Sequence, residues 1–227
     1  MSDFLFRGSE AWKAAYPGAA VGILAIGNVT NPERNPELDR IKGELEHQIR
    51  SRFDNKGELR AEPRLEAYRA YYKRFRKTYH VQLQLESIAF KGKSIPRVAA
   101  LVEAMFVAEL QDLLLTAGHD LEAVVPPVTV DIAQGTERFT RMNGQEQELK
   151  ACDMFIADAE GILSTIIYGP AHRAQILPDT YRVLFTVYAV PGIGGDAVVQ
   201  HLQTIESHVR FIAPDAMTEQ LEVYGSG

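Results

Sequence analysis

At 227 residues, 46% apolar and 24% charged, the chain has the composition of one ordinary globular domain, and its net charge of -6 argues against a generic nucleic-acid coat protein. Its longest apolar runs fall far short of a membrane span, and Met1 to Glu10 carries Asp3, Arg7 and Glu10 in place of a signal-peptide apolar core, so a soluble, cytoplasmic protein with no membrane partner is expected. The single cysteine, Cys152, excludes an internal disulfide, and no Cys/His group has zinc-site spacing, so neither a metal nor another cofactor is expected.

Ala20 to Gly27 is a glycine-bounded apolar run and predicts a buried strand. Gly22 and Gly27 form no Gly-x-Gly-x-x-Gly fingerprint for a dinucleotide. Asn31-Pro32 and Asn35-Pro36 mark a loop and then a helix start. Leu38, Ile41, Leu45 and Ile49 give that helix an apolar stripe to about Arg52, and Asp54-Asn55-Lys56-Gly57 ends it. A second helix, about Pro63 to Tyr79, places Leu65, Tyr68, Tyr72, Phe75 and Tyr79 on one face. Arg69, Lys73, Arg76 and Lys77 lie on or near another. Charge is unevenly spread: Arg60 to Arg97 holds ten Lys/Arg against three acids, whereas Leu101 to the end holds six against eighteen. A basic face beside an acidic body follows. It reads either as a solvated helix face or as an RNA-binding surface at Arg69, Lys73, Arg76 and Lys77, with a tyrosine at its margin able to stack on a base.

Val81 to Ala89 continues as a helix with Leu85 and Ile88 inward. Lys91-Gly92-Lys93-Ser94 is a basic turn that lacks the spacing of a phosphate-binding loop. Pro96 to about Leu115 predicts a helix so apolar that most of its sides are buried, with Glu103 and Glu109 either surface positions, the expected place, or pocket groups. After Gly118 the character becomes β. Strands are expected from Val128, over Met154 to Ala157, over Ile162 to Tyr168 and over Tyr181 to Val190; Asn143-Gly144 signals a hairpin near Phe139 and Met142. A polar loop runs from Gly169 to Asp179. Ala197 to Phe211 predicts a helix with Val198, Leu202, Ile205 and Val209 inward, on which His201 and His208 read as core or surface histidines, and Leu221 to Tyr224 adds an edge strand.

From Ser94 to Ile193 the order of motifs resembles the B3/B4 domain of the bacterial phenylalanyl-tRNA synthetase β subunit, and more closely the stand-alone proteins that consist of that domain. The motifs are Ile95-Pro96-Arg97-Val98-Ala99-Ala100-Leu101-Val102-Glu103, Gly118-His119-Asp120-Leu121, Val130-Asp131-Ile132-Ala133-Gln134-Gly135-Thr136-Glu137, Ile156-Ala157-Asp158-Ala159-Glu160-Gly161-Ile162-Leu163, and Gly169 through Thr180. The resemblance implies an α+β fold, a layered β/α B3/B4-type domain with an N-terminal helical lead-in. The whole of 1-227 then forms one domain: a lead-in to about residue 93, a motif-bearing core over 94-195, and a C-terminal helix and tail over 196-227.

In the synthetase this module hydrolyses tyrosine mischarged onto the phenylalanine tRNA. The resemblance therefore implies a tRNA partner, bound at its aminoacyl end, and an ester-hydrolysing or ester-binding pocket. Glu137 is the candidate catalytic carboxylate, placing a water or holding the substrate's amino group. Gly135 and Gly169 would let backbone N–H groups approach the ester oxygen. His172 and Arg173 would contact the tRNA end, and Asp120 would line the site or bond the backbone of its own turn. The family's Asn-Asn pair and a later Asn are replaced here by Ala99-Ala100 and Phe106, and its Pro-x-His is absent before Asp120. Those changes remove hydrogen-bonding capacity and point to a different amino acid or to a non-catalytic RNA- or amino-acid-binding module. An enzyme acting on a free amino acid or related metabolite is a third reading.

Overall fold

The computed structural model describes residues 6-227. In chain order the elements are β1 (Phe6–Gly8), α1 (Glu10–Ala15), β2 (Ala20–Gly27), α2 (Pro36–Arg52), α3 (Lys56–Ala61), α4 (Pro63–Arg74), α5 (His80–Lys91), α6 (Ala100–Asp112), β3 (Leu115–Asp120), β4 (Val128–Ile132), β5 (Arg138–Thr140), β6 (Glu146–Glu148), β7 (Met154–Asp158), β8 (Gly161–Thr165), β9 (Gly169–Pro170), β10 (Val183–Ala189), α7 (Gly195–Ile212) and β11 (Met217–Gly225). Short 3-10 turns occupy Leu121–Ala123 and His172–Ala174. This is an α+β arrangement, as expected. The predicted N-terminal segment Met1 to Glu10 lies partly outside the described residues.

The strands form two main sheets and one hairpin. A four-stranded antiparallel sheet runs β11-β2-β10-β3, a five-stranded mixed sheet runs β1-β4-β7-β8-β9, and β5-β6 stand apart. Every residue of β2 and β10 is buried, because helices cover one face of the four-stranded sheet and the second sheet covers the other. On the helical side α7 lies so close that a Cβ on Gly22 would stand 2.5 Å from Val198 Cγ1. Between the sheets the Tyr188 hydroxyl and Ser164 Oγ meet at 2.8 Å, and the rings of Phe6 and Tyr224 pack with centroids 4.6 Å apart.

The aromatic face of α4 ties the two sheets together. Tyr68 donates to Tyr188 O in one sheet, Tyr72 donates to Ile166 O beyond β8 (2.7 Å), and Tyr71 donates to Asp153 at the start of β7 (2.8 Å). These rings are buried, and each phenol satisfies a backbone or carboxylate acceptor that the strand ends leave open.

Several boundaries differ from the sequence expectation. The helix from Pro63 stops at Arg74, because Arg76 adopts φ 57°, and Tyr79 precedes a new helix rather than ending the old one. Asp54-Asn55 does end α2, but Asn55 then caps α3, its Oδ1 accepting from Gly57 and Glu58. The apolar helix is shorter than Pro96 to Leu115, since Leu113 turns left-handed (φ 63°) and the chain enters β3. Gly118 and His119 therefore sit inside a buried strand rather than at its start.

Glu103 and Glu109 are buried, not at the surface as expected. Glu103 is neutralised by Lys42 Nζ at 2.7 Å and accepts the Val98 N–H at 3.1 Å. Glu109 accepts the Thr116 N–H at 2.6 Å, and burial lifts its pKa to about 8, so it is a neutral acid at pH 7. His201 is a core histidine, held between Thr116 Oγ1 (2.7 Å) and Asp112 Oδ2 (2.9 Å).

Candidate functional site

The residues that the sequence singles out fall into three neighbourhoods. The first is the loop between β4 and β5. Gly135 adopts φ 95°, and a Cβ there would stand 3.4 Å from Ala151, so glycine is required by conformation and by the close approach of that loop. The Glu137 carboxylate turns back onto its own loop and accepts the N–H groups of Gln134 (2.9 Å), Gly135 (3.0 Å) and Thr136 (3.1 Å). Partial burial pushes its pKa up, but the backbone donors outweigh that and leave it below the usual glutamate value. An anion so held is a loop organiser; its acceptor capacity is largely spent.

This loop and the Gly169 segment are neighbours. An isolated bridge joins Arg141 to Ala171, and Ala133, Phe139, Leu149, Phe155, Ile162 and Ala171 form one apolar cluster with Tyr168 packed against it. The two segments thus share packed hydrocarbon. Gly169 itself has φ 79°, and a Cβ there would meet nothing within 4 Å.

The second neighbourhood is a polar knot around Arg173. Its Nη1 donates to Ala123 O (3.2 Å), and its Nη2 donates to Gly161 O (3.0 Å) and pairs with Asp158, whose side chain has no exposed surface. Asp158 also accepts the N–H groups of Val125 (2.8 Å), Glu160 (2.9 Å) and Gly161 (3.1 Å). Arg173 therefore joins the turns after β3, after β7 and after β9. Asp120 stands nearby in the chain and accepts from the Thr180 hydroxyl (2.8 Å) and from Glu122 N–H (3.0 Å), the local turn bond anticipated for it. His172 is exposed beside Gln175. His119 is fully buried, and neither ring nitrogen has a partner. Burial first, then the Arg173 charge, pushes its pKa down to about 3, against a smaller opposing pull from Asp158, so the imidazole is neutral.

The third neighbourhood is a basic concavity of about 430 Å³ lined by Arg74, Phe75, Arg76, Lys150, Ala151 and Cys152. The left-handed residue Arg76 and the αL residue Cys152 (φ 68°) bend the two walls. Lys150 Nζ donates to Phe75 O (2.8 Å), and the Arg74 guanidinium lies over the Tyr16 ring at 5.1 Å. Lys77 Nζ lies 5.6 Å from the centre of the Tyr168 ring, which carries the basic surface toward Gly169. Among the described residues, Lys73, Arg74, Arg76, Lys77, Arg141 and Lys150 have no carboxylate within ion-pair distance, unlike the Lys and Arg that pair elsewhere. Arg69 differs from its neighbours: it bonds Arg60 O (2.9 Å) and pairs with Glu66. Arg74, Arg141 and Lys150 were not singled out from the sequence; two of them lie far from the basic helix in the chain, and no local pattern marks them.

A second concavity, of about 490 Å³, runs along α2 beside Asp39, Arg40 and Glu44, and neither it nor the basic one is lined by Glu137, Gly169 or Arg173. Among the described residues, no cluster of His, Cys, Asp and Glu could hold a metal ion, and no helix is long and apolar enough to cross a membrane.

No family model and no curated protein matches the chain. Among solved structures it is similar to an N-terminal fragment of the phenylalanyl-tRNA synthetase β subunit from Pyrococcus horikoshii, at 12% identity and a TM-score of 0.49, over 98% of this chain and 50% of that one. This is a weak structural resemblance, and the chain spans about half the length of that fragment.

Proposed function

We propose that this chain binds tRNA near its aminoacyl end and acts in trans on the aminoacyl ester. The observation that carries the reading is the field of unpaired cations at the end of α4 and on the Lys150 loop, set around the concavity lined by Arg74, Arg76 and Lys150, with Lys77 beside the Tyr168 ring that precedes Gly169. Unpaired Lys and Arg suit phosphates, because each contact releases a condensed counterion and pays no cost for breaking an existing ion pair. Tyr168, half-buried with Lys77 beside its ring, offers a face on which a terminal base can stack. The motif order from Ser94 to Ile193 supplies the link to aminoacyl-tRNA.

An aminoacyl ester is already activated, so a positioned water and a donor for the developing oxyanion suffice for hydrolysis. In this reading Glu137 shapes the Gly135 loop rather than taking a proton, and the open space beside Gly169 is where the ester would lie. A second reading is a non-catalytic RNA-binding module. It is favoured by the shared hydrocarbon cluster that joins the Gly135 and Gly169 segments.

Filter binding of unacylated tRNA across a salt series tests the shared part: affinity should fall steeply with salt. Deacylation of a panel of mischarged tRNAs then separates the readings. Salt-insensitive or absent tRNA binding would remove both, whereas tRNA binding without turnover on any member of the panel leaves the module alone.

A further inference from the structure

The basic concavity is built more firmly than a patch of surface charge. One wall is Arg74-Phe75-Arg76 at the end of α4, and the other is Lys150-Ala151-Cys152, with Lys150 and Phe75 lying 75 residues apart in the chain. Lys150 reaches from its own wall to the opposite one and donates to Phe75 O (2.8 Å). The buried Tyr16 donates its hydroxyl to Cys152 O, and the Arg74 guanidinium lies over the same ring. Cys152 N–H donates to Ala133 O (2.7 Å) and Asp153 N–H to Lys150 O (3.0 Å), so the loop that carries Lys150 is fixed before a ligand arrives. Three cations with no carboxylate partner among the described residues thus share one hollow of about 430 Å³. The C-terminus of α4 supplies about half a unit of negative charge there, too little to be the counterpart of three cations.

A phosphodiester brings one negative charge. A terminal phosphate monoester brings about 1.5 to 2 at pH 7, with three acceptor oxygens. Cations gathered around a hollow suit the monoester, whereas a row of cations along a groove suits the diester backbone. The Arg74 and Arg76 guanidinium forks and the two Lys150 N–H groups left over from Phe75 O are donors for charge-assisted hydrogen bonds, the strong kind. Lys77 follows Arg76 directly and stands 5.6 Å from the centre of the Tyr168 ring, so a face for stacking lies one residue on from the hollow. In a tRNA acceptor stem the 5′ phosphate ends the duplex beside the single-stranded 3′ end that carries the amino acid. We propose that the hollow between Arg74, Arg76 and Lys150 seats the 5′-terminal phosphate of a tRNA acceptor stem, which sends the unpaired 3′ end toward Tyr168. The proposal rests on the reading of the chain as a tRNA-binding protein and names the group that this hollow takes.

The test uses an uncharged acceptor-stem microhelix with a single-stranded 3′ end, made with either a 5′ phosphate or a 5′ hydroxyl, and titrated into the full chain by fluorescence anisotropy at fixed salt. The phosphorylated form should bind at least about ten-fold more tightly, the ratio that one charge-assisted hydrogen bond supplies, and its monoester phosphorus resonance should shift on binding. In Arg76→Gln and in Lys150→Gln the ratio should fall toward one, and in Arg76→Lys most of it should stay. Lys73→Gln, at an exposed cation outside the hollow, should weaken both forms alike and keep the ratio. Unchanged thermal midpoints establish that the variants fold. Inorganic phosphate and adenosine 5′-monophosphate, added as competitors, should displace the microhelix only far above its own dissociation constant; displacement near that constant would assign the hollow to a small phosphorylated molecule and overturn the proposal. Equal affinities of the two microhelices, an unmoved phosphorus resonance, or a ratio that survives in both Arg76→Gln and Lys150→Gln would each overturn it as well. Salt-dependent binding of unacylated tRNA is measured in parallel: its absence would strike the underlying reading, and its presence alongside any of these failures would strike the 5′-phosphate seat alone.

Discussion

Replacing Glu109 with Gln should abolish a pH dependence that the wild-type fold carries in its core. Glu109 is buried, accepts the Thr116 N–H, and has its pKa raised by burial from 4.5 to about 8. The folded state therefore binds a proton that the unfolded chain releases between those values. Stability from this group is fully present below pH 4.5 and is lost as pH rises through 8. Linkage gives a contribution of about 2.7 kcal/mol at pH 6 and almost none at pH 9. Glutamine keeps the acceptor for Thr116 and never ionises, so the variant should hold its pH 6 level. Urea denaturation of both proteins at pH 6 and pH 9, at matched m-values, measures the difference. Wild type should weaken relative to Glu109→Gln by about 2 to 3 kcal/mol across the interval. Asp153, raised by burial to about 7, weakens both proteins alike and cancels in the comparison. Parallel behaviour of the two proteins would refute the assignment of Glu109 as a neutral buried acid.

Three further outcomes follow from the same geometry. Changing Arg74, Arg76 and Lys150 together to Gln should lower the slope of log affinity against log salt for tRNA by about 2 to 3, and an unchanged slope in filter binding would place the phosphates elsewhere. Glu103→Ala leaves Lys42 buried with only Asp39 (3.1 Å) beside it and should cost about 3 kcal/mol by chemical denaturation, whereas Lys42→Met with Glu103→Leu should come close to wild type. Glu137→Ala should speed amide exchange at Gln134, Gly135 and Thr136 by about ten-fold or more, the equivalent of about one lost charged hydrogen bond, while the global midpoint barely moves; protection that persists would show that the loop is held by other means.

Much of the scaffold can be read from short-range pattern. Ala20 to Gly27 is a strand with those limits, α2 runs from Pro36 to Arg52, and Asn143-Gly144 turns the β5-β6 hairpin. Each is set by residues within one element: glycine boundaries, a proline start, a type-favouring turn pair. What escapes the sequence depends on distant partners. Glu103 and Glu109 look like surface acids on a helix until Lys42 and the Thr116 N–H are brought to them from 61 and 7 residues away. The end of α4 is hidden because a non-glycine residue, Arg76, takes the left-handed conformation that glycine usually marks. The basic surface is half legible: Lys73, Arg76 and Lys77 follow from the helix, while Lys150 and Arg141 reach it only through the fold. The polar knot is legible as two separate motifs, and nothing in either one announces that His119 is left without a partner.

The unpaired cations have a consequence for how the molecule meets its surroundings. A body with net charge -6 that concentrates uncompensated positive charge on one side is an electric dipole on the scale of the whole protein. Near a polyanion it experiences a torque before it experiences contact, so that encounters arrive already turned with the α4 end foremost. The same asymmetry predicts retention on a heparin column at a pH well above the isoelectric point of about 5.6, where total charge alone would have the protein flow through.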